Sequence, residues 1–148
     1  MSKSIDFSPD WYYEIDCGSE DTRDVVDRIV EVIEIVKAQS TTSWPPLDEW
    51  KKTLPAWFVK SFVVLTQDEI DALLKATPRH QWHQLPWEIE SWLDAVQSRG
   101  WEWYGYQMEN NKARIELILN DWPASLEAFE WIIKIAGGKI IKDDFINP

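Results

Sequence analysis

Residues 101–120 read WEWYGYQMENNKARIELILN, and this stretch decides the fold class. Two strand patterns, Trp101–Met108 and Ala113–Asn120, flank the polar residues Glu109–Lys112. The second pattern alternates apolar and polar side chains, with the period of two that a strand with one buried face requires. The asparagine pair between the patterns tolerates positive φ, so this stretch predicts a β-hairpin.

A helix and a last short strand are predicted after the hairpin. Residues 124–136 carry large apolar side chains at helical spacing, and Gly137-Gly138 ends the pattern. The next residues, Lys139–Phe145, favour a strand again. The sequence following the hairpin therefore predicts one helix that leads into an additional strand.

A strand and a long helix are predicted in the N-terminal part. Asp10–Asp16 alternates aromatic or aliphatic residues with polar ones, and Gly18-Ser19 interrupts the strand pattern. A helix follows from about Asp21 to about Gln39, with an acidic first turn that suits the positive end of the helix dipole. Its valines and isoleucines form a broad apolar stripe, which predicts one buried face.

The segment from about 41 to 99 differs from both flanks, because it is broken by proline and rich in tryptophan. Ser43–Pro46 predicts a loop, and Thr66–Glu69 is a capping box that opens one of several short helices. Six of the eleven tryptophans fall here: Trp44, Trp50, Trp57, Trp82, Trp87 and Trp92. We expect most of them to join this segment to the rest of the core, with Trp44 and Trp82 exposed in proline-flanked loops.

Together these elements predict an α+β protein with a ferredoxin-like β-α-β-β-α-β antiparallel sheet. The helical insertion, about residues 41–99, lies between the first helix and the second strand. Residues 1–148 are expected to form a single domain, in which 1–40 and 100–148 make the ferredoxin-like half. The insert would lie at one end of the sheet or cover its open face.

The formal net charge of −11, from 26 acidic and 15 basic residues, limits the classes of partner. Nucleic-acid binding is not expected, because it depends on Lys and Arg that neutralise phosphates. No apolar run approaches the roughly 20 residues of a membrane span, and no signal peptide is visible. The lone cysteine, Cys17, can form no internal disulfide, so a cytoplasmic protein is expected.

Cys17 and Arg23 are the first candidate catalytic pair. They are separated by five residues between a predicted strand and helix, where backbone N–H groups could bind an oxyanion. On this spacing the segment resembles cysteine-dependent phosphatases. The acidic Glu20 and Asp21 would place negative charge in a phosphate cradle, so the alternative is a small buried residue at the end of a strand.

His80 and His83 are the weak candidates for a metal site. A spacing of three would place them on one face of a helix, but zinc normally requires three or four protein ligands. Pro78 and Pro86 favour a loop here, so two polar loop residues are the alternative interpretation.

The first helix offers a candidate surface for a basic partner. The acidic residues Asp24, Asp27, Glu31 and Glu34 recur at helical spacing opposite the apolar stripe. The alternative is a solvated helix face, in which Arg28 and Lys37 pair locally with Asp24 and Glu34.

A second candidate surface is the face of the sheet that the two long helices leave open. Tyr12, Tyr104, Tyr106 and Arg114 could share it, as aromatic side chains do in RNA-binding modules of similar topology. Several glutamates would share this face as well, and the glycine- and phenylalanine-rich signature of those modules is absent, so RNA binding is not expected.

No catalytic triad, glycine-rich phosphate loop or cofactor motif emerges, so no cofactor is expected. The first hypothesis is a non-catalytic acidic protein-binding module, such as an inhibitor or immunity-type protein that neutralises a basic partner. The alternative is a small enzyme or ligand-binding domain with an aromatic pocket between insert and sheet. A homo-oligomer remains open, because the edge strand Lys139–Phe145 could pair with a copy of itself.

Overall fold

The computed structural model describes residues 8–41, 43–84, 87–121, 124 and 126–146, and for 82–84 it describes the backbone alone. Within these ranges the strands are β1 (Trp11–Asp16), β2 (Trp101–Glu109), β3 (Lys112–Leu119) and β4 (Lys139–Phe145). The α-helices are α1 (Thr22–Gln39), α2 (Leu47–Thr53), α3 (Ala56–Val59), α4 (Gln67–Ala76), α5 (Ile89–Gln97) and α6 (Glu127–Ala136). A 3₁₀ helix covers Arg79–Gln84, where the prolines had predicted a loop.

The four strands form one sheet in the order β2-β3-β1-β4, and every neighbouring pair is antiparallel. The α+β class with an antiparallel sheet is therefore confirmed. The hairpin predicted from residues 101–120 joins β2 to β3, and Asn110 takes the expected positive φ of 57° in its turn.

The long helices α1 and α6 pack against each other and against one face of the sheet. On that face Tyr13 and Ile15 of β1 and Ile115 and Leu117 of β3 are fully buried. The aliphatic stripe of α1 closes this core because it repeats every three or four residues. Helix α6 ends at Gly137, whose φ of 113° is a conformation that residues with a Cβ rarely adopt.

The insert is held together by aromatic side chains rather than by long helices. Trp50, Phe58 and Trp92 are fully buried, and the Phe58 and Trp92 rings meet edge to face at 5.0 Å. The indole Nε1 of Trp92 donates a hydrogen bond of 2.9 Å to the carbonyl oxygen of Ala128 in α6. These contacts place the insert against the helical layer. The sequence had instead suggested one end of the sheet or its open face.

A bulge in β2 changes which side chains share the open face. The pairing with β3 shifts between Trp103 and Gly105, so Tyr106 lies opposite Ile115 on the helix-covered face. The predicted grouping of Tyr106 with Tyr12 is therefore wrong, since alternation alone does not reveal a bulge. The prediction for Arg114 holds, because its guanidinium lies 4.2 Å from the centre of the Tyr12 ring.

Candidate functional site

The outward face of α1 carries the acidic residues predicted to meet a partner. Asp24, Asp27, Glu31 and Glu34, here called the acidic stripe, are all exposed. They lie opposite the buried stripe because α1 advances by about 100° per residue. Asp21 begins the helix by accepting hydrogen bonds from the backbone N–H groups of Arg23 and Asp24, which fixes where the acidic stripe starts.

The cations of α1 do not neutralise this stripe. Arg28 instead donates 2.8 Å to the carbonyl oxygen of Ala136 and 3.2 Å to the Oε1 of Glu20. The C-terminal carbonyls of α6 attract a cation because they form the negative end of the helix dipole. The predicted pairs of Arg28 with Asp24 and of Lys37 with Glu34 are absent from the described part of the chain.

One aromatic side chain of the insert borders the acidic stripe. The Nε1 of Trp57 donates to the Oε1 of Glu31 at 3.4 Å, and its ring meets Phe58 edge to face at 5.7 Å. Trp57 is only partly buried, so part of its ring remains accessible beside the carboxylates. The stripe and the insert therefore meet at Glu31.

Trp44 and Trp82 were predicted to be exposed for partner binding. Trp44 is partly buried instead, because its ring packs 4.7 Å from that of Trp50. The side chain of Trp82 lies outside the described residues. Every tryptophan side chain that the structure does describe is at least partly buried, so these rings serve mainly as core.

Cys17 and Arg23 are not arranged as a nucleophile and an anion-binding partner. Cys17 is 2% exposed, and burial raises the pKa of its thiol, with smaller contributions from the carboxylates of Asp16 and Glu20. Arg23 donates through Nη1 to the hydroxyl of Tyr106 at 3.3 Å. A protonated, enclosed thiol is a poor nucleophile, so this geometry favours the structural interpretation of Cys17.

Only one of the two candidate metal-binding histidines has a described side chain. His80 is exposed on the 3₁₀ helix, while the side chain of His83 lies outside the described residues. No group of three or more potential ligands of a metal ion occurs among the described residues. Nor does any helix in those ranges have the length and apolarity needed to cross a membrane.

A cleft lies between the insert and β2, where the sequence had suggested an aromatic pocket without naming its lining residues. It is open to solvent, has a volume of about 340 Å³ and is lined by Ser40, Trp44, Gln97, Arg99 and Glu102. Arg99 donates 2.9 Å to the carbonyl oxygen of Val96 and pairs with Glu102 at 3.3 Å. The lining residues come from two short segments, 40–44 and 97–102, that are far apart in sequence and that the docking of the insert brings together.

Comparison of the chain with family models, with curated proteins and with solved structures finds no match. The geometry of the acidic stripe and of the cleft therefore carries the functional argument.

Proposed function

We propose that this chain is a non-catalytic acidic protein-binding module, of the inhibitor or immunity type, that neutralises a basic partner. The observation that carries the proposal is the acidic stripe of α1, whose carboxylates form no salt bridge among the described residues. Arg28 of the same helix is held by α6 and Glu20 instead. Four carboxylates on one rigid helix, in a chain of net charge −11, favour approach by a cationic surface.

Trp57 supplies a second element of such an interface. Charged residues accelerate association, whereas partly buried aromatic side chains contribute much of the affinity at protein interfaces. The hydrogen bond from Trp57 to Glu31 holds the indole beside the stripe before any partner arrives. This preorganisation reduces the entropy that binding would otherwise cost.

The proposal also includes the topology of the fold, the cellular compartment and the oligomeric state. From its other edge the sheet order is β4-β1-β3-β2, and both long helices lie on one face. This arrangement supports a ferredoxin-like core in a single domain. The proposal keeps the cytoplasmic setting expected from the lone cysteine. The edge strand β4 has a bulge between its pairings with Glu14 and Ile15, which favours a monomer because bulges discourage pairing between edges.

The test is affinity capture from the source cell with a tagged chain, washed at rising salt and followed by mass spectrometry. The stripe variant replaces Asp24 and Asp27 by Asn and Glu31 and Glu34 by Gln. The control variant makes the same four-charge change on exposed acidic residues of the insert: Asp48, Glu49, Glu90 and Asp94. We expect wild type and control to retain one dominant basic protein that the stripe variant loses. Equal capture by all three, or no salt-sensitive partner, would contradict the proposal.

The second candidate function is a ligand-binding domain that uses the cleft between insert and β2. The observation that favours it is the largely buried Arg99, whose side chain is 10% exposed at the cleft wall. A small enzyme that uses Cys17 has less support, because the pKa of the thiol is raised. Hydrolysis of a generic phosphoester that is lost in Cys17→Ser would revive it.

A further inference from the structure

The cleft lies where the insert begins and where it ends. Ser40 and Trp44 follow α1, and Gln97 and Arg99 end α5, so both junctions meet beside Glu102 of β2. Its volume of about 340 Å³ is at the lower end of the range for small-molecule sites. The cleft therefore suits a small ligand.

Arg99 offers this cleft a directed donor. Two of its N–H groups are used, by the Val96 carbonyl at 2.9 Å and by Glu102 at 3.3 Å. A guanidinium has five N–H donors, so these two hydrogen bonds leave three donors for water or for a ligand. The Trp101 ring, 5.6 Å from the guanidinium carbon, helps to hold the group in place. An oxyanion on the ligand would accept hydrogen bonds from these remaining donors.

Glu102 decides which kind of oxyanion fits. Its side chain is 42% exposed, and it places a negative charge next to Arg99. A simple anion would be repelled by this carboxylate and by the net charge of −11. A ligand with an ammonium group beside its carboxylate would instead match Glu102 and Arg99 together.

The remaining wall suits the body of such a ligand. The hydroxyl of Ser40 donates 2.6 Å to the carbonyl oxygen of Val36, which leaves its own lone pairs as acceptors. Trp44 is supported from behind by Trp50 at 4.7 Å and presents an aromatic surface to the cleft. An apolar side chain could pack on this indole while the charged groups reach the ion pair.

From these contacts we propose that the cleft binds an α-amino acid as a zwitterion. Arg99 receives the carboxylate, Glu102 the ammonium group, and Trp44 the side chain. This inference rests on the second candidate function and is independent of the acidic stripe.

The test is isothermal titration calorimetry of the full chain with glycine, L-leucine and L-phenylalanine. N-acetyl-L-leucine lacks the ammonium group and L-leucine amide lacks the carboxylate, so they probe the two charges separately. We expect leucine or phenylalanine to bind, with both modified leucines at least about tenfold weaker. No binding of the three amino acids at millimolar concentration would overturn the proposal, and so would equal binding of either modified form.

Paired variants place the binding in this cleft. Arg99→Lys and Glu102→Gln should each weaken leucine binding by about ten- to hundredfold, because the first removes the two-pronged guanidinium and the second removes the negative charge beside the ammonium group. Arg114→Lys and Glu116→Gln, in the other arginine–glutamate pair on the sheet, should leave it unchanged. Since Arg99 also holds the end of α5, Glu102→Gln is decisive if Arg99→Lys fails to fold. Equal loss of leucine binding in cleft and control variants would contradict the site.

The stripe variant should still bind leucine, so failure of the stripe proposal and failure of the cleft proposal are distinguishable.

Discussion

Two parts of the molecule are stabilised in different ways. The first half consists of β1–β4 with α1 and α6, and the second part is the insert. In the first, aliphatic side chains repeat along long elements, and α1 alone buries seven residues. In the insert, α2 and α3 each bury one aromatic residue, α4 buries none, and α5 buries Trp92 together with Leu93 and Val96. The first half thus spreads its burial over many side chains, whereas the insert depends on a few large rings.

This difference has a consequence for function. The acidic stripe lies on α1, which is buried mainly against the sheet and α6, and the insert reaches the stripe at Glu31 through Trp57. The cleft, by contrast, exists only while the insert is docked, because Trp44 and Arg99 lie at its two junctions. Substitutions that loosen the insert should therefore alter the structure of the cleft more than that of the acidic stripe.

The largest effect is expected from Trp92→Ala. Trp92 is fully buried between insert and α6, and its removal should cost about 3–5 kcal/mol in the free energy of unfolding. Trp57→Ala is the matched control, with an expected cost of about 1–2 kcal/mol because that ring is only partly buried. Urea unfolding followed by circular dichroism measures both. Equal losses would contradict the dependence of the insert on a few rings.

Tyr13→Phe tests the core of the other half. The Tyr13 hydroxyl donates 2.9 Å to Glu130, and its loss should cost about 1–1.5 kcal/mol. Burial, followed by the charge of Glu130, raises the pKa of Tyr13 above its ordinary 10.0. The folded state therefore keeps this proton while the unfolded state releases it, and stability should fall as pH rises above about 10.

The control for this pH dependence is Tyr13→Phe itself, whose stability should fall less steeply over the same alkaline range. Urea titrations at pH 9, 10 and 11 give the comparison. Parallel curves for wild type and variant would show that Tyr13 does not hold its proton in the folded state.

Two helix caps give a smaller, paired test. Asp21→Ala at the start of α1 should lower global stability by about 1 kcal/mol. Thr66→Ala removes the capping box of α4, a helix without a buried residue. We expect faster hydrogen exchange within α4 and a global change below about 0.5 kcal/mol. An equal global cost for both caps would show that α4 is coupled to the core.

The last and smallest effect concerns the rate at which the Cys17 thiol is alkylated. Because its thiol is buried and its pKa raised, alkylation by iodoacetamide at pH 8 should be at least about tenfold slower than in urea-unfolded chain. Trp92→Ala should leave this protection in place if the sheet half folds independently of the insert. Rapid labelling of the native wild type would contradict the packing at the end of β1.

The predictable parts of the fold were those with local signals. The hairpin followed from alternation and the asparagine turn, α1 from its apolar stripe, and α4 from the Thr66 and Glu69 capping box, which is present. The bulge at Tyr104 had no such signal, because Gly105 is permissive without being diagnostic. A bulge reverses the faces of all later residues, which is why Tyr106 was misplaced.

The candidate sites divide in the same way. The four residues of the acidic stripe could be named from helical spacing alone. The partner of Arg28 could not, since Ala136 is more than a hundred residues away and offers only a backbone oxygen. A pocket between insert and sheet was suggested from the sequence, but its lining residues were beyond local patterns because they depend on the docked position of the insert.

The most direct test of the acidic stripe is the association rate with the captured partner, measured by stopped-flow fluorescence at low and at physiological salt. At low salt the stripe variant should associate at least about tenfold more slowly than wild type, and raising the salt should narrow the gap. The control variant, with the same net charge, should stay within about threefold of wild type. Equal slowing of both variants would show that only the total charge matters and would contradict a binding surface on α1.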